Sequence, residues 1–245
     1  MTFTRQTPAL PEIRSRLGRC EAGIVLAFSE RAEHPSNSRM YLRGELGGIE
    51  MLTSGQSFSE SYMTDREVLD RIYGRFRDNR QHPFFPHVAN QRLAYLREAT
   101  KDPVPRGANK NAEIRRAYFK ALKLLCREGD DGQYGESATA DLDCLERLSF
   151  RVHYGDVVAE RKLQDNPDLF RPLILADDWQ GVKSALRDTN VEAAVIDRVS
   201  KKCLMYGVPD NVSRVIVDFY ADTVIPVTVA VEVEYLKRRK LDKTA

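Results

Sequence analysis

A proline-free stretch near the middle of the chain, residues 135–163, constrains the fold more than any other feature. Its apolar side chains recur at helical spacing, and they are Leu142, Leu145, Leu148, Val152, Val158 and Ala159. The sequence therefore predicts one long helix, with Thr139 as its N-cap and with Asp141 and Asp143 in the first turn, where the helix dipole favours anions.

Two cations, Arg151 and Lys162, interrupt this apolar pattern. Their separation corresponds to about 1,100° of helical rotation, about 20° more than three turns, so both project from one side about 16 Å apart. Gly155 lies between them and leaves room for another group to approach the backbone. Such a pair suits a compact anion with two charged ends, although paired cations on a helix are more often solvated surface charges.

The remaining periodic segments also read as helices, at about 12–31, 58–76, 114–126, 167–175, 178–186, 189–205 and 212–240. The last of these is rich in β-branched residues, which favour strands, but its length and charged end favour a helix that is kinked at Pro226. Prolines and a glycine predict a long irregular loop over about 78–111. We therefore predict an all-α, single-domain multi-helix bundle over residues 1–245, with one long central helix and a long C-terminal helix.

Composition excludes several classes of function. The chain is 42% hydrophobic and 30% charged, and its net charge of +2 is too small to indicate nucleic-acid binding. No apolar run approaches the length of a membrane span, and the N-terminus does not resemble a signal peptide. The four cysteines lack metal-ligand spacing with the four histidines. We expect reduced thiols, no metal and a cytoplasmic location.

Three further polar positions stand out. Thr228 and Glu232 are four residues apart and share one face of an apolar helix, where a carboxylate is expected to have a raised pKa. Asp188 and Glu192 are also four apart, although Thr189-x-x-Glu192 equally matches a capping box. Arg14 lies in the first turn of its helix, where the dipole disfavours a cation, so it is either incidental or placed for a ligand.

Several blocks of the chain, from Ile13 to about Arg239, resemble the all-helical chorismate mutases of fungi and plants. The densest are GESATADLDCLERLSFRVHYGDVVAERK from Gly135, KKCLMYGV from Lys201 and VIPVTVAVEVEYLKRR from Val224; the shorter ones are IRSRL, FSER and HPFFP. The resemblance implies rearrangement of chorismate to prephenate in phenylalanine and tyrosine biosynthesis, a pericyclic shift that requires no nucleophile, metal or cofactor. Such a reaction depends on orientation of the substrate and on electrostatic stabilisation.

The resemblance also implies roles for individual residues. Arg14 and Arg151 would hold the two carboxylates of the substrate through their guanidinium forks. Lys162 would reach the ether oxygen and a carboxylate, and protonated Glu232 would donate to the same ether oxygen.

Three more positions follow from the same resemblance. Glu192 matches a glutamate near the ring hydroxyl, and Thr228 matches the threonine beside it in the pocket. The position aligned with Asp188 is asparagine in the fungal enzymes, so an acid there would add negative charge beside a dianion.

Fungal members of the family are dimers that tyrosine and tryptophan regulate. Their effector site contains an arginine pair, which here is Gly74-Arg75, and a Gly-Ser-x-x-Thr motif, which here begins Gly135-Glu136 and ends at Thr139. A lost cation and an added carboxylate should both weaken binding of an amino acid's carboxylate. The resemblance therefore implies a homodimer, and these two differences predict weak or absent feedback.

Three functions stay open at this point. The first is an active chorismate mutase, with chorismate as its small-molecule substrate and with no nucleic-acid or membrane partner. The second is a non-catalytic or regulatory helical module of the same fold. The third is an enzyme that acts on a related chorismate-like dianion.

Overall fold

A computed structural model describes residues 7–46, 55–76, 81–85 and 108–241, and the regular structure within these ranges is helical. The α-helices are α1 Leu10–Glu33, α2 Phe58–Ile72, α3 Asn111–Leu125, α4 Tyr134–His153, α5 Gly155–Asp165, α6 Pro167–Leu175, α7 Trp179–Leu186, α8 Thr189–Met205, α9 Asp210–Phe219 and α10 Ile225–Leu241. A 3-10 turn occupies Ser38–Tyr41, and a π-helical turn occupies Tyr220–Val224. The predicted all-α bundle is confirmed.

Helix α4 lies at the centre of the bundle, packed against α1, α2, α3 and α10. The main core includes Ile24 and Phe28 of α1, Leu145 and Leu148 of α4 and Ile216 of α9. A smaller core unites α5, α6, α7 and α10 through Ala159, Phe170, Val182, Leu186 and Leu236. Because α10 contributes to both cores, it is held against both α4 and α5.

The central stretch is helical as predicted, but it divides at Tyr154, where α4 ends and α5 begins. Gly155, the first residue of α5, lies against α10. A Cβ atom added there would meet the carbonyl oxygen of Thr228 at 3.0 Å. The predicted approach of another group to the Gly155 backbone is therefore confirmed, and the expectation of an uninterrupted helix is wrong at one residue.

The predicted start of the central helix is also wrong. Helix α4 begins at Tyr134, and the Thr139 hydroxyl lies within it, donating to the carbonyl oxygen of Gly135 at 2.8 Å. Asp141 is fully buried and accepts a hydrogen bond from Arg31 Nε at 2.6 Å, so it forms an internal ion pair instead of occupying the first turn. The helix therefore begins before the residue that the N-cap signal indicated.

The C-terminal segment is helical, as its length and charged end predicted. The π-helical turn before Pro226 gives an N–H···O bond from Ile225 to the carbonyl of Tyr220, which is a five-residue step. Proline cannot donate a backbone hydrogen bond, so an irregular turn at this point is expected. The predicted kink at Pro226 thus takes the form of a wider helical turn.

Helix α2 has its burial pattern reversed relative to expectation. The apolar side chains near its end, which would be expected to be buried, are largely exposed: Leu69 at 49%, Ile72 at 38% and Tyr73, the residue just after the helix, at 87% exposure. The buried side is mostly polar, and its Glu67 carboxylate accepts backbone N–H bonds from Phe84 at 2.5 Å and Phe85 at 2.9 Å. The buried Glu67 carboxylate binds the backbone of residues 84 and 85, and this contact decides which side of α2 is buried more than the apolar pattern does.

The loop predicted over about 78–111 lies mostly outside the described residues. The described parts, 81–85 and 108–110, contain neither helix nor strand. No helix in the described part of the chain combines the length and apolar character needed to cross a bilayer.

Candidate active site

A partly buried ion pair joins α5 to α10. Lys162 Nζ lies 2.9 Å from Glu232 Oε2, and it also donates to the carbonyl oxygen of Leu186, the last residue of α7, at 2.6 Å. Glu232 is only 3% exposed, whereas the Lys162 side chain is 31% exposed. The ammonium group therefore stands at the edge of the site, and the carboxyl group lies inside it.

Arg151 enters the same region from the last turn of α4. It is 5% exposed, and its Nη1 donates to the Thr228 hydroxyl oxygen at 3.4 Å. That hydroxyl donates in turn to the carbonyl oxygen of Val224 at 2.6 Å, which fixes its acceptor side toward the guanidinium. Gly155 allows this approach because a larger residue would push Thr228 away.

Burial raises the pKa of Glu232 above its ordinary value, and the nearby Lys162 and Arg151 only partly oppose this effect. The negative charge of Glu192 adds to the increase. Desolvation penalises a buried carboxylate strongly, so a neighbouring cation need not restore its usual acidity. The raised pKa expected from the apolar sequence around Glu232 is confirmed in direction.

Glu192 lies at the start of α8, where Arg187 binds both of its oxygens at 2.9 and 2.7 Å. These hydrogen bonds from Arg187 lower the pKa of Glu192, and the charge of Lys162 contributes in the same direction. The capping-box alternative is wrong, since Asp188 is the N-cap and its Oδ1 accepts from the N–H groups of Asn190 and Val191. The Asp188 carboxylate is thus directed toward its own helix.

Arg14 stands apart from this cluster. It is exposed on α1, and its side chain makes no hydrogen bond or ion pair to another described residue. Thr7, just before α1, accepts a hydrogen bond from Gln164 at 3.1 Å. The start of α1 therefore lies beside the end of α5 that carries Lys162, but the Arg14 guanidinium makes no hydrogen bond or ion pair with the other candidate residues.

The residues that correspond to the effector motifs lie elsewhere. Arg75 Nη1 bridges Asp70 at 2.6 Å and Glu146 at 2.7 Å. Gly74 has a positive φ of 87°, Gly135 and Glu136 lie in the first turn of α4, and the Thr139 hydroxyl also bonds Tyr62 at 2.7 Å.

Sequence reasoning missed two contributors to the site. The Leu186 carbonyl that binds Lys162 leaves no signal in a sequence, because any residue carries one. Arg187 could have been noticed five positions before Glu192 as a potential partner.

Taken together, Arg151, Lys162, Thr228 and Glu232 form a buried group that can bind an anion. A raised-pKa carboxyl group beside two cations can donate a hydrogen bond where negative charge develops. Glu192 is linked to this group by charge: Lys162 lowers the pKa of Glu192, and Glu192 raises the pKa of Glu232.

Comparison with known proteins gives consistent relatives, although no family model matches the chain. A chorismate mutase of Schizosaccharomyces pombe is 32% identical, and the alignment covers 98% of this chain and 100% of that protein. The crystal structure of the chloroplast chorismate mutase of Zea mays superimposes with a TM-score of 0.81 at 30% identity, covering 99% of both chains. The chorismate mutase of Candida albicans in complex with L-Trp gives a TM-score of 0.80 at 29% identity, covering 94% of this chain and 91% of that one.

Proposed function

This chain belongs to the family of fungal and plant chorismate mutases, and we propose that it rearranges chorismate to prephenate in the biosynthesis of phenylalanine and tyrosine. The observation that carries the proposal is the buried group on α4, α5 and α10, in which Arg151 and Lys162 surround a carboxyl group with a raised pKa. Arg151 and Lys162 lie in the block from Gly135 that carries the family resemblance, and Glu232 lies in the block from Val224.

The chemistry of the reaction fits this arrangement. Chorismate carries two carboxylates and an ether oxygen that gains negative charge as its C–O bond breaks. A catalyst must fold this flexible dianion into a compact conformation and place donors at the ether oxygen. Cations that bind carboxylates and a neutral acid that donates to the ether oxygen meet both requirements.

Each residue of the group has a distinct proposed role. Arg151 binds one carboxylate, and Thr228 holds its guanidinium in place. Lys162 uses two of its three donors on Glu232 and on the Leu186 carbonyl, so its third donor is available for the substrate. Glu232 accepts from Lys162 through Oε2, which leaves Oε1 to carry the proton that is donated to the ether oxygen.

Three residues with more peripheral positions complete the proposal. Glu192, oriented by Arg187, contacts the ring hydroxyl. Arg14 binds the second carboxylate, which requires its exposed side chain to turn inward when the substrate arrives. Asp188 acts as a helix cap and does not contact the substrate.

The experiment that tests this function follows the disappearance of chorismate in the presence of the purified protein and identifies the product by NMR. Formation of prephenate well above the uncatalysed rate is the expected result. Binding of chorismate without turnover would favour the non-catalytic module instead. Formation of another product would favour an enzyme that acts on a related chorismate-like dianion.

We also propose that tyrosine and tryptophan regulate this protein weakly or not at all. Arg75 already binds Asp70 and Glu146 of its own chain, so an effector carboxylate would have to displace an internal ion pair. Initial rates measured with and without each amino acid should agree. Strong inhibition or activation would contradict this, since regulation requires different affinities in two states.

A homodimer and a cytoplasmic location are the remaining parts of the proposal. The exposed apolar side chains of Leu69, Ile72 and Tyr73 on α2 offer a surface for a second copy. Sedimentation should give twice the monomer mass, and Tyr73→Glu should reduce it; a monomeric wild type would contradict the dimer. The four cysteines are free, which suits a reducing compartment, and fractionation of cells that express the protein tests the location.

A further inference from the structure

Two buried polar atoms near the candidate active site have no hydrogen-bond partner among the described residues. One is the hydroxyl of Tyr220, a residue that is fully buried, and the other is Nε of Arg151. Buried polar groups in folded proteins nearly always have a partner, and exceptions often mark a site that a ligand or an internal water completes.

The π-helical turn connects the backbone of Tyr220 to the hydrogen bonds that surround Arg151. Tyr220 is its first residue, and its last residue, Val224, accepts from the Thr228 hydroxyl that in turn accepts from Arg151 Nη1. Burial raises the pKa of Tyr220, and among the charged groups around it the positive charge of Arg151 acts most strongly. The hydroxyl therefore stays protonated at neutral pH and lies within range of the positive charge of Arg151.

The partners of Arg151 define which of its edges is free. Thr228 occupies Nη1, whereas the buried Nε has no acceptor, so the edge formed by Nε and Nη2 can receive a carboxylate. This edge presents two parallel N–H groups that match the two oxygens of a carboxylate. A carboxylate oxygen bound at Nε still has lone pairs for a second donor.

We propose that the Tyr220 hydroxyl is that second donor, so that one substrate carboxylate oxygen accepts from both Arg151 Nε and Tyr220. The inference rests on the proposed function and adds a binding residue to the same site. The π-helical turn contributes to this arrangement through Tyr220, its first residue, and through Val224, whose carbonyl oxygen holds the Thr228 hydroxyl. Among the described residues, no acceptor binds the buried Tyr220 hydroxyl.

The variant Tyr220→Phe tests this proposal because it removes only the hydroxyl. KM for chorismate should rise roughly tenfold or more, as expected for loss of a hydrogen bond to a charged group, while kcat changes much less. A dicarboxylate mimic of the transition state should bind more weakly by a similar factor in calorimetry. Thermal stability should stay the same or rise, because the free protein loses an unsatisfied buried group.

Tyr118→Phe is the matched control. Tyr118 is also fully buried, but its hydroxyl donates to Asp141 at 2.8 Å, about 15 Å along α4 from Arg151. This variant should lose stability and keep KM. The opposite responses of the two variants separate a ligand-binding hydroxyl from a structural one.

Two results would overturn the inference. The first is an unchanged KM and an unchanged affinity for the mimic in Tyr220→Phe. The second is a loss of stability as large as that of Tyr118→Phe, which would mean that a partner such as an internal water already satisfies the hydroxyl. A wild-type protein that does not convert chorismate would contradict the proposed function itself, whereas the ratio of variant to wild type tests Tyr220.

Discussion

Replacing Gly155 by alanine would place a methyl group between α5 and α10, at the point where Arg151 and Lys162 converge. The added Cβ would lie 3.0 Å from the Thr228 carbonyl oxygen, 3.1 Å from Thr228 Cγ2 and 3.4 Å from Glu232 Cγ. The closest of these atoms belongs to the backbone of α10, which cannot rotate away as a side chain would. The two helices must therefore separate by a few tenths of an ångström.

Two opposing terms decide the effect on stability. Alanine favours a helix over glycine by up to about 1 kcal/mol, and less at the first position of α5. Overpacking a tight contact typically costs about 1–3 kcal/mol. We expect Gly155→Ala to lower the free energy of unfolding by about 1 kcal/mol, which corresponds to about 2–4 °C in Tm for a chain of this size. Displacement of Thr228 and Glu232 should also lower kcat/KM several-fold, since a shift of about 1 Å can cost about a hundredfold.

Gly18→Ala supplies the matched control for this measurement. Gly18 lies within α1, and a Cβ there would meet nothing within 4 Å. This variant should gain up to about 1 kcal/mol and keep its activity. Denaturant titrations and initial rates of both variants decide the question. A Gly155→Ala protein that gains stability as Gly18→Ala does, and keeps full activity, would refute the close contact between α5 and α10.

Three further predictions concern the site and its surroundings. Arg151→Ala and Lys162→Ala should each lower kcat/KM by about 10²–10³, as loss of one preorganised donor does, and a loss no larger than that of the exposed Lys183→Ala would exclude them from the site. Asp188→Ala should cost about 0.5–2 kcal/mol of unfolding free energy as α8 loses its N-cap, whereas Asp188→Asn should retain most of it; equal stabilities would contradict the capping role. Burial and the neighbouring His82 lower the pKa of His153 to about 3. As pH drops, the unfolded chain therefore takes up a proton at His153 before the folded protein does. The free energy of unfolding should fall between about pH 6.5 and 3, by up to about 1.4 kcal/mol per pH unit. Denaturant titrations at several pH values should show a smaller slope for His153→Gln, and an unchanged slope would contradict this assignment.

The fold was predictable where the apolar periodicity of a helix agrees with the proline and glycine residues at its ends. The segments 167–175 and 189–205 begin and end where proline, glycine and the apolar period place them. The helical reading of the C-terminal segment is correct despite its β-branched residues, since tertiary packing on two cores overrides local propensity. The break at Tyr154 was not predictable, because the stretch contains no proline, and the close approach of α10 to Gly155 next to it is a tertiary contact.

Burial of α2 shows a different limit of sequence reasoning. An apolar stripe predicts a buried face only when no other contact competes for the same helix. Here Glu67 binds two backbone N–H groups and directs the polar side inward. A carboxylate that serves as a backbone acceptor has no distinguishing pattern in a sequence.

The site was predictable in its side chains and not in its supporting contacts. Spacing placed Arg151 and Lys162 on one side of the central stretch, and both reach residues of α10 despite the break between them. Two features could be recognised only in the three-dimensional structure: the carbonyl that binds Lys162, and the Tyr220 hydroxyl that has no partner among the described residues. Arg14 makes no hydrogen bond or ion pair with the group, so its role stays a prediction.

The central claim is that Glu232 works as a neutral acid among cations, and the pH dependence of kcat/KM for chorismate tests it most directly. Because burial raises the pKa of Glu232, the protonated and active form is lost as pH rises through that value. Wild-type kcat/KM should therefore decline on the alkaline side, whereas Glu232→Gln, which keeps a donor, should remain active with a flat profile over the same range. Identical profiles for the two proteins would contradict the account.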